Sequence, residues 1–491
     1  MEAFNIIWQI LASPLGILVA IFFFGASIFV HEYGHYLAAR WRGLKIERFS
    51  IGMGPKLFGW TDKQGVEWRL SLFPIGGYVL LPQLADMAAV EGRSQQPARD
   101  LPELSWTDKV TVAVAGAVFN IIFAFVLATI LWTQPLARYT GSSQIAEVRQ
   151  TVQDFRGEEV PGPAWEAGLR PGDRIVEIDG EPIESFRDIL FAVTLGKDEY
   201  PDGRPRVSVT YLRDGEREEV TFPAALYELE KRRHLGIQGA RELVVGGLRP
   251  NSPALRAGLE EGDEIVSING ERVYHPLIFE ERIDEAGETP VQVTLQRGEE
   301  RIEKTMTPIE VPTMSDGTTS PEVGIQWAPP AMETFHMPPW EQISEVVVLT
   351  WRTLGALISP SSDVGFRAMS GPVGILNEVR RTVSFGWVSV FGLIILINVN
   401  LAILNLLPLP ILDGGHIALA TYRKLVGRPV PPRIVASLQG AMIVLLLVMV
   451  LYVTTFDVRR AGRSERATQE QAADAAQRVE IVFPDPAAEE S

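Results

Sequence analysis

The chain has 491 residues, a net charge of −16 and no cysteine. That length allows several domains, while the missing thiols exclude disulfides, cysteine nucleophiles and thiolate metal ligands, so any bound metal must use histidine and carboxylate. The acidity speaks against nucleic acid as a partner, because such binding needs a basic surface.

Hydrophobic residues make up 46% of the chain and are bunched into a few long runs, the pattern of a membrane protein carrying soluble modules. Residues 1–48 hold the first of these runs. Pro14 suits a first helical turn, and Leu15 to Arg40 is long enough to span a bilayer. Met1-Glu-Ala-Phe carries no positive charge and the run meets no small-residue cleavage site, so it reads as a retained anchor rather than a signal peptide. Near its end stands His31-Glu-Tyr-Gly-His35. At ~100° per residue, positions four apart lie about 40° apart on one helical face, so both imidazoles can reach one Zn²⁺. Glu32 then sits beside the metal as a carboxylate able to take a proton from its water. Ionisable groups at membrane depth are costly and usually mark function. Arg40, Arg42, Lys45 and Arg48 follow, which by the positive-inside rule puts this end in the cytoplasm.

Residues 49–107 form a different region. Ser50 to Pro55 and Leu70 to Leu81 are β-like, Gly-punctuated and too short to span, so they read as strands and hairpins returning to the membrane face. An edge strand there could pair with an extended substrate, although a plain cytoplasmic hairpin fits as well. Residues 82–105 read as a loop. The region 108–140 carries a second span over Val110 to Trp132, in which Gly116 and Asn120 allow close helix approach and an amide in the bundle interior.

From 141 the sequence turns strand-rich and repeats. Ala164 to Gly180 aligns with Ala254 to Gly270 ninety residues on, and Leu235-Gly-Ile-Gln238 with Val323-Gly-Ile-Gln326 after eighty-eight. Two echoes at nearly one period mean tandem copies of a domain, 141–239 and 240–327. These stretches resemble PDZ domains of the kind attached to bacterial proteases, which implies grooves for extended peptides or chain ends.

Residues 328–383 include Trp340, Ile343, Val347, Trp351, Leu354 and Ile358 on one helical face, an amphipathic helix for the membrane surface or for packing on the preceding domain. The region 384–457 holds two more spans, Phe385 to Leu406 and Ile434 to Tyr452. Asn398 and Asn405, seven apart, share a face turned to the bundle. Pro408 and Pro410 end the helix, and Asp413 then falls on a turn before Gly414-Gly415. If the helices alternate, Asp413 lies at the same cytoplasmic end as the two histidines, and the basic residues Arg423, Lys424, Arg428 and Arg433 agree. That makes it the third candidate zinc ligand. Arg459, Arg460 and Arg463 stand against the external end that alternation requires for the tail, 458–491, which reads as disordered or partly helical.

The histidine pair with its glutamate, Gly116-x-x-x-Asn120 and Asn405-Leu-Leu-Pro-Leu-Pro-Ile-Leu-Asp-Gly414, set around tandem PDZ-like domains, resemble the site-2 protease family. The resemblance implies a polytopic α-helical membrane protein with four transmembrane helices, a membrane-associated β region and two tandem PDZ-like domains. It implies a zinc endopeptidase of the bacterial inner membrane, its PDZ-like domains periplasmic and its active site toward the cytoplasm. Substrates would be single-pass proteins such as an already trimmed anti-sigma factor, or remnant signal peptides. By the same resemblance His31, His35 and Asp413 bind Zn²⁺, Glu32 is catalytic, Asn405 contacts substrate, and Ile75, Gly76, Gly77 and Tyr78 belong to the β region that meets it. A non-catalytic adaptor presenting two peptide-binding modules is the main alternative. A zinc-dependent transporter would spread its polar groups along several helices.

Overall fold

The computed structural model describes residues 14–83, 104–139, 141–227 and 232–484. The loop expected at 82–105 thus lies largely outside the described residues. The chain divides into two compact units: residues up to Leu136 with 336–351 and 369–463, and residues 137–335 with 352–368 and 464 onward.

The first unit is a helical bundle with one β hairpin. Its elements are α1 (Pro14–Trp41), β1 (Arg48–Thr61), β2 (Glu67–Leu80), α2 (Trp106–Trp132), α3 (Pro339–Ile358), α4 (Pro372–Ser384), α5 (Trp387–Asn405), α6 (Asp413–Val426) and α7 (Pro432–Gln477), the ends of α3 and α7 running into the second unit. Among the described residues α2, α5 and α7 are long and apolar enough to cross a membrane. Helix α1 has 28 residues and covers the first expected span. Ser105 and Asp108 form a reciprocal cap that starts α2 at Trp106, a little before the apolar run. Small residues Ala124 and Ala128 let α2 approach α5, where they meet Val390, Ile394 and Val399. Asn398 is fully buried in α5, its amide nitrogen donating to Ser27 Oγ of α1 at 2.9 Å.

Three expectations change here. Ile343 and Val347 of α3 pack against the α2–α5 cluster, so that part of its apolar face is covered by the bundle, leaving Trp340, Trp351 and Ile358 exposed. Asp413 is not on a turn but opens helix α6 as its first residue. Residues 458–477, expected in the tail, continue α7 as helix.

The strands β1 and β2 pair in an unusual way. Phe49, Ser50 and Ile51 pair on one side with Trp68, Arg69 and Leu70 and on the other with Val79, Tyr78 and Gly77. Residues 77–80 are therefore an outer strand, held to the base of α1 by a core of Tyr36, Ala39, Phe49, Val79 and Val112. Glu67 fastens the hairpin by accepting from Lys56 and Arg48, which holds its pKa down at about 2.

In the second unit two domains share one topology. The first orders its sheet Glu216–Pro223, Arg206–Arg213, Arg174–Ile178, Glu181–Pro182; the second orders Glu300–Met306, Val291–Arg297, Glu264–Ile268, Glu271–Arg272. Each adds a helix, Phe186–Thr194 or Pro276–Ala286, and a separate two-stranded pair joining its first and last strands. The repeat extends to an ion pair between a partly exposed arginine and a buried aspartate. Arg213 grips Asp173 with two nitrogens at 2.8 and 2.7 Å and Gly168 O at 2.9 Å; Arg297 grips Asp263 at 2.7 and 2.8 Å and Gly258 O at 3.0 Å. Both aspartates are buried.

Arg297 reaches solvent and keeps Glu260 and Gly258 O as acceptors, but the turn amide of Glu260 loses its partner, so Asp263→Ala is expected to destabilise the second domain by about 1–3 kcal/mol, read as a lower melting temperature of that domain. Arg297 holds the Asp263 pKa below its ordinary value. Its contribution is therefore complete above the unfolded carboxylate pKa near 4 and fades as pH falls through the depressed folded value. Acid titration of Asp263→Asn should lose that component.

Candidate metal centre

Two helical turns near the C-terminal end of α1 carry the polar groups. His31, Glu32 and His35 are all buried. The two imidazoles meet edge to face with centroids 4.7 Å apart and Nε2 atoms 3.2 Å apart. Asp413, brought in by the start of α6, places Oδ2 at 3.3 Å from His31 Nε2 and 3.4 Å from His35 Nε2. One ligand atom from each residue lies within 4.8 Å of the others.

The protons decide what this cluster can hold. His35 Nδ1 is 2.7 Å from the Val112 carbonyl oxygen, so it must donate there, leaving Nε2 with a lone pair. His31 Nδ1 lies 3.2 Å from the amide of Asn120, whose oxygen is otherwise unpartnered in the buried interior. Turned about its amide, Asn120 accepts that proton and frees the second Nε2. Two lone pairs then face a carboxylate oxygen that itself has no hydrogen-bond donor. Three acceptors at such spacing repel unless a proton or a metal cation lies among them, and ligand bonds of ~2.0–2.1 Å in a tetrahedral zinc site set ligands about 3.3 Å apart. The residues present fit zinc.

Close approach depends on two glycines. A Cβ on Gly116 of α2 would stand 2.4 Å from His35 Nε2 and 2.6 Å from His31 Cε1. A Cβ on Gly77 of β2 would stand 2.7 Å from Glu32 Cγ. Glu32 therefore lies between the candidate metal ligands and the outer strand. A cavity of about 350 Å³ opens there, lined by Glu32, His31, His35, Asp413, Ile28, Gly76, Gly77, Tyr78 and Asn405. Asn405 also reaches His31 Nε2 with its amide nitrogen, at 3.3 Å. Of the expected substrate-facing residues, Gly76, Gly77 and Tyr78 border this cavity, whereas the Ile75 side chain lies outside the described residues. Lys109 and His416 also line it and were not anticipated. His416 stands one helical turn beyond Asp413, a spacing that signals only once α6 is known to be a helix.

Residues 19–449 match peptidase family M50. The regulator of sigma-E protease RseP of Salmonella typhimurium (strain 14028s / SGSC 2262) is 28% identical over 452 residues, covering 88% of this chain and 94% of its own. A putative zinc metalloprotease of Mesorhizobium japonicum is 28% identical over 449 residues, covering 88% of this chain and 96% of its own. Among solved structures, the PDZ domain of an SdrC-like protein from Listeria monocytogenes matches 18% of this chain and 86% of its own, at 20% identity and a TM-score of 0.16. The family match takes in both the histidine pair of α1 and the aspartate of α6, nearly four hundred residues apart, and the chain belongs to peptidase family M50, the site-2 zinc metalloproteases.

Proposed function

We propose that this chain hydrolyses peptide bonds within the membrane-spanning segments of single-pass proteins. The observation that carries the reading is the convergence of His31, His35 and Asp413 through three acceptor atoms, with Glu32 beside them in one cavity. These three residues would hold Zn²⁺, which when bound polarises the scissile carbonyl and acidifies a water. Glu32 takes the proton of that water and returns it to the leaving amine. Val112 and Asn120 fix the ring tautomers, while Asn405 faces the substrate.

A membrane helix hides its amides in i to i−4 bonds, so the substrate must unwind before it can be cut. Residues 77–80 supply what the unwound strand then needs. Their inner edge is paired to Phe49–Ile51, and the cavity borders them, so an extended substrate can add there as a further strand. Replacing two leucines of the cut segment by glycine lowers the unwinding cost by about 1.5 kcal/mol and should speed cleavage about tenfold. A substitution series with no rate change would remove the unwinding step.

The reading extends to four crossings, an inner-membrane location and periplasmic repeats that act as PDZ-like filters. Two crossings, α5 and α7, separate the repeats from the tail, so both belong on one side of the bilayer. The pairing of Val479 with Thr313 of the second repeat supports this. Anti-sigma factors already trimmed by another protease, and remnant signal peptides, are the proposed substrates; the RseP named among the relatives regulates sigma E. The test is reconstitution in vesicles with a labelled single-pass substrate: cleavage that a zinc chelator stops and added zinc restores supports the reading, and chelator-insensitive cleavage or none refutes it. An adaptor would bind substrate unaltered.

A further inference from the structure

Residues 478–484, just beyond α7, stay against the second repeat. Val479 N donates to Thr313 O at 3.0 Å and Ser315 N to Gln477 O at 2.7 Å, a short antiparallel bridge centred on Met314 and Arg478. Arg249 then donates to the Ile481 carbonyl at 3.3 Å. Phe483 is only 3% exposed, and a Cβ on Gly324 would stand 2.7 Å from its ring. Gly324 belongs to the Val323-Gly-Ile-Gln326 echo, so Phe483 lies against the very loop that repeats between the domains.

The other repeat serves as an internal control. Arg149 N donates to Gly236 O there, as Arg249 N does to Gly324 O, so the two glycines correspond. Over Gly236 lies Val152 Cγ1, 2.9 Å from a Cβ built on that glycine, supplied by a hairpin pairing Thr151–Gln153 with Glu159–Pro161. Fourteen residues separate Arg149 from Ala164 in the first repeat, but only four separate Arg249 from Ala254. The second repeat has no such hairpin, and Phe483 stands in its place. Beside Gly236 the first repeat keeps an open groove of about 460 Å³ between Ile237 and the helix carrying Ile189.

We propose that Arg478–Pro484 is an internal ligand of the second repeat, docked by strand pairing and a Phe483 anchor, and that the site it fills accepts other extended segments bearing one large apolar anchor once the tail is displaced. Main-chain pairing supplies the register and the pocket at Gly324 selects the side chain. The partner class is thus an extended peptide with an aromatic or large aliphatic residue. Binding is the readout, so the proposal stands or falls separately from proteolysis.

A labelled peptide of residues 478–491 is titrated against the full chain and against the chain ended after Gln477, both in detergent. The shortened chain should bind at least about tenfold more tightly, its site being vacant, and the peptide carrying Phe483→Ala should lose about tenfold or more, as expected for truncating a buried aromatic ring. Equal binding to both chains, no binding to either, or indifference to Phe483 overturns the proposal. Hydrogen exchange on the full chain carrying Phe483→Ala covers a shortened chain that fails to fold. Exchange should quicken at Thr313–Ser315 while Val291–Arg297 stays protected. Unchanged exchange at Thr313–Ser315 shows no docking, and loss of protection throughout the repeat makes the tail part of its core; either result overturns the proposal.

Discussion

Glu32→Gln is expected to lower cleavage by about 10²–10⁴-fold while leaving one zinc per chain. Glutamine keeps the shape that fits under Gly77 but cannot accept a proton, and it leaves His31, His35 and Asp413 untouched. Metal content and rate must therefore separate. Asp413→Ala gives the opposite pattern, since losing one of three protein ligands removes both together. Measuring zinc by elemental analysis beside the cleavage rate distinguishes the two variants. A Glu32→Gln chain that cut at the wild-type rate would remove the proton-transfer role of Glu32 and require another base.

Much of this centre can be read from the chain before folding, because a single helix carries two candidate ligands and the proposed base at a spacing that helical geometry alone brings together. Asp413 is harder. Its local surroundings, two prolines before and two glycines after, describe a turn, and only the basic residues on either side of the membrane runs place it at the depth of His31. Tertiary packing overrode that local signal and began a helix at Asp413. Asn120 shows another limit: its position four after Gly116 announces close packing, but that its amide meets His31 depends on how α2 crosses α1. Arg459, Arg460 and Arg463, read from the sequence as following the last span, fall within α7. Arg460 is tied to the buried Asp457 and to Met369 O, so its charge fastens α7 to the segment leading into α4. The role of Phe483 was illegible, since its partner Gly324 lies more than 150 residues earlier and nothing in the tail's composition points to it.

Gly116→Ala tests the centre without altering any ligand. One methyl group would stand 2.4 Å from His35 Nε2, 2.6 Å from His31 Cε1 and 2.8 Å from His35 Cε1, distances that no real Cβ tolerates. Neither ring can swing aside cheaply. His35 is pinned through Nδ1 to Val112, and His31 is held between Asn120 and Asn405. Helix α2 is no freer, because Ala124 and Ala128 already pack it closely on its neighbours. The strain must therefore move one imidazole off the metal position. Changes to the groups that hold metal-binding side chains in place weaken binding by about 10–100-fold, and a displacement near 1 Å costs about 10² in rate, so zinc occupancy and cleavage should fall together. Gly25→Ala is the matched control, on the same helix as the histidines but with nothing within 4 Å of the new methyl, and it should leave both unchanged. If Gly116→Ala kept its zinc and its rate, α2 would not lie against the two rings as described, and the tautomer assignment through Val112 and Asn120 would fall with it.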